Sequence, residues 1–173
     1  MKRRKPFTHA EIEKVRAFAL RIGLGFARDQ DVADDRRRFC IHEAGHIVIY
    51  AGLGITGWRV RIHEGGAETS MPPTAVSSPV CILMALGGPL AEEAHCGPSG
   101  VFLAAVDDLW QVKEAAAGLT VVDLRVLVAQ GRQVLAERKR FVLAIADLLA
   151  KRGEFSEDDI DEVEAIVATK RAS

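Results

Sequence analysis

The segment of residues 41–51 constrains the fold of this 173-residue chain more than any other feature. Its only strongly polar side chains are those of His42, Glu43 and His46. A helix that is apolar on nearly all sides is buried at the centre of a protein. Because burying three ionisable groups without partners is costly, the sequence predicts that these side chains share one site inside the fold.

The order His42-Glu43-Ala44-Gly45-His46 has the spacing of a metal site. Side chains four residues apart lie on one helix face, so both imidazoles can reach one tetrahedral zinc ion at about 2.0–2.1 Å. The glutamate between them can reach a water beside that ion and act as its base. The glycine costs about 1 kcal/mol in a helix and indicates close approach by another backbone or by substrate. The alternative is a buried helix with two hydrogen-bonded core histidines.

A catalytic zinc usually has three protein ligands, so the two histidines require a third. The candidates are the carboxylates of Glu92, Glu93, Asp107 and Asp108. The residues three before, four after and seven after Asp108 are apolar, whereas those four and seven after Asp107 are polar. Helical geometry therefore favours Asp108, with Glu92 or Glu93 orienting a ligand. The alternative for the two aspartates is a pair at a helix start that interacts with the helix dipole.

Hydrophobic periodicity and capping residues predict a mainly α-helical α+β fold. Pro89 is expected to kink or divide one helix, and Gly131 to break another. An alternating segment at 58–63, a glycine turn and a return strand at 67–71 predict a short β-hairpin or small sheet beside the metal site. The predicted helices cover residues 8–21, 34–50, 80–96, 101–117, 121–151 and 156–168.

The length of the chain predicts one domain over residues 1–173, because this size suffices for one well-filled core and is short for two. We expect an N-terminal helix and linker at 1–33. The zinc-site core is expected at 34–118 and the C-terminal helices at 119–173.

Charge and composition argue against several other classes of protein. The formal net charge is −1, so no general field attracts nucleic acid or an acidic membrane. Cys40 and Cys81 are expected to be small core residues, and chain neighbours such as His95 and Cys96 need not face each other as a nucleophile pair. Neither a signal peptide nor an apolar stretch of membrane-spanning length is visible. We therefore expect a cytoplasmic protein without nucleic-acid or membrane partners, in an oligomeric state that stays open.

Three motifs follow one another along the chain: HEAGH at residues 42–46, LGGPLAEE at 86–93 and DDL at 107–109. In this order they resemble the peptidase domain of the FtsH family, whose members are ATP-dependent, membrane-anchored zinc proteases. The predicted strands and the last helical hairpin are similar to that domain too. The resemblance covers about residues 34–168.

The resemblance implies that His42, His46 and Asp108 are the zinc ligands and that Glu43 is the catalytic base. It also implies a mainly helical fold with a short β element whose edge strand aligns the substrate backbone. Pro89 stands where the family usually has an arginine. The family's ATPase module and transmembrane anchor are absent from these 173 residues, so we expect activity without ATP.

Together these features predict a zinc-dependent endopeptidase that hydrolyses peptide bonds in flexible or unfolded polypeptides. A separate unfoldase could deliver its substrates. One alternative is a narrow-specificity regulatory peptidase of the ImmA/IrrE type, which also has an H-E-x-x-H helix. Another is a non-catalytic protein-binding module that keeps a peptidase fold.

Overall fold

The computed structural model describes residues 7–25, 36–63, 66–70, 77–95 and 105–172. Over these residues the chain forms seven α-helices and one three-stranded antiparallel sheet, which confirms the predicted mainly α-helical α+β class. The helices are α1 (His9–Ile22), α2 (Arg36–Gly52), α3 (Ser78–His95), α4 (Val106–Ala115), α5 (Val121–Glu137), α6 (Lys139–Arg152) and α7 (Ile160–Ala172). The strands are β1 (Arg59–His63), β2 (Gly66–Ser70) and β3 (Glu154–Ser156).

Helix α2 is the buried central helix that the sequence predicts. Every residue from Cys40 to Tyr50 is buried, and α3 and α6 pack against it. Within the described ranges, no helix has the length and apolar character needed to cross a membrane. Cys40 is buried and Cys81 is partly buried, whereas Cys96 lies outside the described residues.

The backbones of α2 and α3 meet at two glycines. A Cβ atom added to Gly87 would lie only 2.8 Å from the carbonyl oxygen of Gly45, a separation that real Cβ contacts do not show. Of the two partners predicted for Gly45, another backbone or a substrate, the structure shows the backbone. Pro89 does not divide α3, which continues to His95 as one helix. The buried packing of α3 against α2 offsets the cost of about 3 kcal/mol for proline in a helix interior.

The predicted helix over residues 121–151 is wrong, because the chain leaves helical geometry at Arg138 (φ −106°, ψ 22°) between α5 and α6. Gly131 does not break α5. A Cβ atom there would lie 2.5 Å from Cδ1 of Leu90. The lack of a side chain at Gly131 therefore lets α5 approach α3 closely. The segment around Arg138 contains no helix-breaking residue, and the break follows from packing of α5 on α3 and α6 on α2.

The sheet has the strand order β2-β1-β3. Val60 of β1 pairs with Thr69 of β2 on one side and with Phe155 of β3 on the other. The predicted hairpin is confirmed, but β3 was not predicted. Trp58 stacks on Phe155 with ring centroids 6.1 Å apart and also contacts Tyr50. These aromatic contacts hold the sheet against α2.

Capping boxes begin helices at both ends of the chain, as the sequence predicts. The hydroxyl of Thr8 accepts from the Glu11 N–H, and the Glu11 carboxylate accepts from the Thr8 N–H. Asp159 accepts from the Ser156 N–H in the same way, and a 3₁₀ turn at Glu157–Asp159 leads into α7. Such boxes satisfy N–H groups that lack partners within the helix.

Candidate metal centre

Two helices bring three possible metal ligands together. His42 and His46 of α2 lie one turn apart, and Asp108 comes from the first turn of α4. The two Nε2 atoms are 3.1 Å apart, and Oδ2 of Asp108 lies 2.8 Å from Nε2 of His42 and 3.5 Å from Nε2 of His46. The aspartate carboxylate is only 17% exposed and both imidazoles are more deeply buried. These are the three ligands predicted from the sequence.

The other nitrogen of each imidazole has a partner that fixes the ring. Nδ1 of His42 lies 2.5 Å from Oε1 of Glu92, which is fully buried. Nδ1 of His46 lies 2.8 Å from the backbone carbonyl oxygen of Met84. A carbonyl or an ionised carboxylate only accepts, so each Nδ1 carries the proton and donates it. Ligand histidines in zinc sites have this arrangement.

When both rings are neutral, the remaining nitrogens present lone pairs to one another. In the neutral rings, Nε2 of His42 and of His46 are both acceptors, and Oδ2 of Asp108 is an acceptor as well. Three such atoms at 2.8 to 3.5 Å repel one another unless a proton or a metal ion lies among them. A tetrahedral zinc with bonds of about 2.0–2.1 Å would place its ligands ~3.3 Å apart, which fits this triangle.

Gly88 leaves room beside the triangle. A Cβ atom added to this residue would lie 2.5 Å from Nε2 of His46 and would collide with Nε2 of His42. The methyl group would thus fill the space between the nitrogens of the two candidate ligands. The absence of a side chain at this position fits the accommodation of an ion.

Replacing Gly88 with alanine is expected to lower zinc affinity by more than about 100-fold. This loss is larger than the one caused by removing a residue that only orients a ligand. Helix formation itself should improve, because alanine is the better helix former. Competition for zinc with a coloured chelator measures the affinity, and circular dichroism checks the fold. Gly52→Ala is the matched control, since the nearest atom to its new Cβ would be 3.8 Å away. Wild-type zinc affinity in Gly88→Ala would contradict this interpretation.

The pKa directions at the centre share one electrostatic cause. Burial lowers the pKa of His42, but Asp108 and Glu92 outweigh it and raise that pKa well above its ordinary value. Burial also lowers the pKa of His46, but the effect of Asp108 is in the opposite direction, and the net result is a raised pKa. Burial raises the pKa of Asp108, whereas the two histidines bring it well below its ordinary value. The centre therefore attracts positive charge, which a divalent ion would supply.

Glu43, the predicted base, lies beside the three ligands. Its side chain is buried, and its Oε2 accepts a hydrogen bond of 3.1 Å from the hydroxyl of Thr69 in β2. The sheet thus reaches the centre at this residue. The role of Thr69 was not predicted, because only the hairpin register shows which residues of the return strand face α2.

The other candidate carboxylates have different surroundings. Glu93 forms a two-pronged ion pair with Arg132 of α5, with both contacts at 2.8 Å, away from the ligands. Asp107 is also in the first turn of α4, where a negative charge is favourable near the helix dipole. Of the two glutamates left open by the sequence, Glu92 is therefore the one whose carboxylate contacts a candidate ligand, His42.

Replacing Glu92 with glutamine is expected to lower zinc affinity by about 10- to 100-fold, because the amide lacks the charge that makes His42 a stronger ligand. The volume hardly changes, so the fold should persist. Chelator competition measures the effect. The adjacent Glu93→Gln replacement, which affects the contacts of Glu93 with Arg132 and with the Gly25 N–H, should leave the affinity unchanged. Equal affinities of wild type and Glu92→Gln would contradict a ligand-orienting role.

Tyr50 also lies at the centre and was not predicted there. Its ring stacks on that of His46, with centroids 6.0 Å apart and an interplanar angle of 23°. Burial raises the pKa of Tyr50, and the charges of Glu43 and Asp108 raise it further, so the hydroxyl stays protonated. Its position four residues after His46, on the same helix face, is the signal that could have identified it.

Two comparisons with known proteins found no relative of this chain. It has no match among the protein-family models or among the curated proteins searched. The interpretation of the centre therefore depends on its own residues. His42, His46 and Asp108 lie together, Glu43 lies beside them, and Glu92 supports one imidazole.

Proposed function

We propose that this protein is a zinc-dependent endopeptidase that hydrolyses peptide bonds in flexible or unfolded polypeptides without ATP. One observation carries the proposal, namely the convergence of Nε2 of His42, Nε2 of His46 and Oδ2 of Asp108. Three protein ligands with an open fourth position are typical of catalytic zinc sites, whereas structural sites have four. A glutamate next to the first histidine adds the base that hydrolysis requires.

Each residue of the centre has a separate role in the proposed hydrolysis. When bound, zinc would polarise the scissile carbonyl and lower the pKa of a water to about 7. The carboxylate of Glu43 takes a proton from the attacking water and then gives it to the leaving amine. His42, His46 and Asp108 hold the ion, while Glu92 fixes the orientation of the first imidazole.

The order of the three sequence motifs supports membership of the FtsH peptidase family as part of this proposal. A mainly helical fold with a small sheet beside the centre agrees with that assignment. Strand β2 pairs only with β1 among the described strands. Its other edge is therefore suited to bind an extended polypeptide through backbone hydrogen bonds.

The test is cleavage of denatured casein by the purified protein in a buffer without ATP. We expect cleavage that a strong zinc chelator abolishes and that stoichiometric zinc restores. Zinc binding without cleavage of casein or of a diverse peptide library would instead favour the protein-binding module. Cleavage of very few library members would favour the narrow-specificity peptidase. A wild-type protein that binds no added zinc would refute the proposal.

A further inference from the structure

We infer that Thr69 is a positioning residue that holds the carboxylate of Glu43 in the orientation needed for proton transfer, an inference that rests on the proposed peptidase function. Its hydroxyl donates to Oε2 of Glu43 at 3.1 Å. An ionised carboxylate can only accept, so the direction of this hydrogen bond is fixed. The bond joins residues 26 positions apart, and it links β2 directly to the helix that carries the two histidines.

The hairpin register places the Thr69 hydroxyl against α2. Thr69 pairs with Val60, which is fully buried, and paired residues of antiparallel strands share one face of the sheet. Thr69 is itself partly buried. The next residue, Ser70, is exposed on the opposite face, and its hydroxyl donates to the backbone carbonyl of Arg59. One strand thus provides two hydroxyl groups, of which only one reaches the base.

Glu43 needs such a restraint for two physical reasons. First, its side chain has several rotatable bonds, and a base that is misplaced by about 1 Å can lose roughly 10²-fold in rate. Second, a carboxylate next to an ion is attracted to it and could become a ligand, which would displace the water that it should deprotonate. A hydrogen bond to Oε2 holds one oxygen and leaves Oε1 as the proton acceptor.

The link also connects the base to the strand with the open edge. A polypeptide bound along β2 would lie against the same strand that positions Glu43. The carboxylate and the bound backbone are therefore held by one element, so their separation is set by β2. This geometry couples alignment of the substrate to placement of the base.

Three variants of β2 separate this role from a structural one. Thr69→Val keeps the branched shape but removes the hydroxyl, and we expect kcat to fall about 10- to 100-fold with KM within about twofold. Thr69→Ser keeps the hydroxyl and should recover most of the lost kcat. Ser70→Ala removes the neighbouring hydroxyl on the other face and should leave both constants unchanged. In the Glu43→Gln background, Thr69→Val should cause no further loss, because residues that act as a unit are not additive.

A measurement that needs neither zinc nor activity tests the contact itself. In protein labelled with ¹³C at the glutamate carboxyl carbons, the Glu43 resonance is identified by its absence in Glu43→Gln. We expect it to move in Thr69→Val, to return towards the wild-type position in Thr69→Ser, and to stay in place in Ser70→Ala.

An unmoved Glu43 resonance in Thr69→Val, a kcat within twofold of wild type, or a loss that serine does not restore would overturn the inference. Failure of the wild type to cleave any substrate would refute the proposed function instead. The carboxyl resonance would then still decide whether Thr69 holds Glu43.

Discussion

Replacement of Glu43 by glutamine is expected to lower the rate of casein cleavage by about 10²–10⁴-fold, the usual cost of losing a general base. Glutamine has nearly the same shape, and its amide oxygen can still accept from the Thr69 hydroxyl. The three ligand atoms belong to other residues, so zinc should remain bound at about one ion per chain. Initial rates on fluorescent casein and elemental analysis measure the two quantities on the same sample.

The Glu93→Gln variant is the control for this experiment. It makes the same chemical change in a glutamate whose partner is Arg132, and it should retain wild-type activity. Undiminished cleavage by Glu43→Gln would exclude Glu43 as the base. Loss of zinc from that variant would show that the glutamate is itself a ligand.

Replacement of Asp108 by alanine is expected to lower zinc affinity by more than about 100-fold. Removal of a residue that only orients a ligand causes a smaller loss. The variant removes one of three ligand atoms and leaves two imidazoles that bind a tetrahedral ion incompletely. Its side chain is partly exposed, so the fold should tolerate the change. Competition with a coloured chelator measures the affinity.

Asp107→Ala is the matched control, since it removes a carboxylate from the same helical turn. Its zinc affinity should remain close to that of the wild type. Equal affinities of the wild type and Asp108→Ala would overturn the assignment of the third ligand. A similar loss in both aspartate variants would indicate that the dipole and fold of α4, rather than one ligand atom, determine the binding.

Local spacing was sufficient to predict the centre of the fold. The apolar segment around His42 and His46 predicted a buried helix, because that pattern leaves no face for solvent. The helical neighbours of Asp108 predicted its inward direction by the same geometry. The glycine between the histidines predicted close approach by another backbone or by substrate, and Gly87 provides the backbone. The first two inferences needed only the periodicity of one helix, and the third needed only the cost of glycine in a helix.

Features that depend on long-range packing could not be predicted in this way. Strand β3 has only three residues and no distinct pattern, and it forms because β1 offers it an open edge. The break at Arg138 follows from the different partners of α5 and α6. Whether Glu92 or Glu93 contacts His42 depends on the helical phase of α3 beyond Pro89. Only the packing of α3 on α2 fixes that phase.

The contact between Gly45 and Gly87 has a mechanical consequence for how the centre could open. Since backbone lies against backbone at this point, no side chain there can yield, and the two helices should move together as one rigid unit. This rigid unit carries both histidines, whereas Asp108 and Thr69 come from α4 and β2. In the proposed peptidase, movements that admit or release a polypeptide should therefore occur at α4 or β2. A bound ion would keep its two nitrogen ligands, while Asp108 and the hydrogen bond from Thr69 to Glu43 respond to the passing chain.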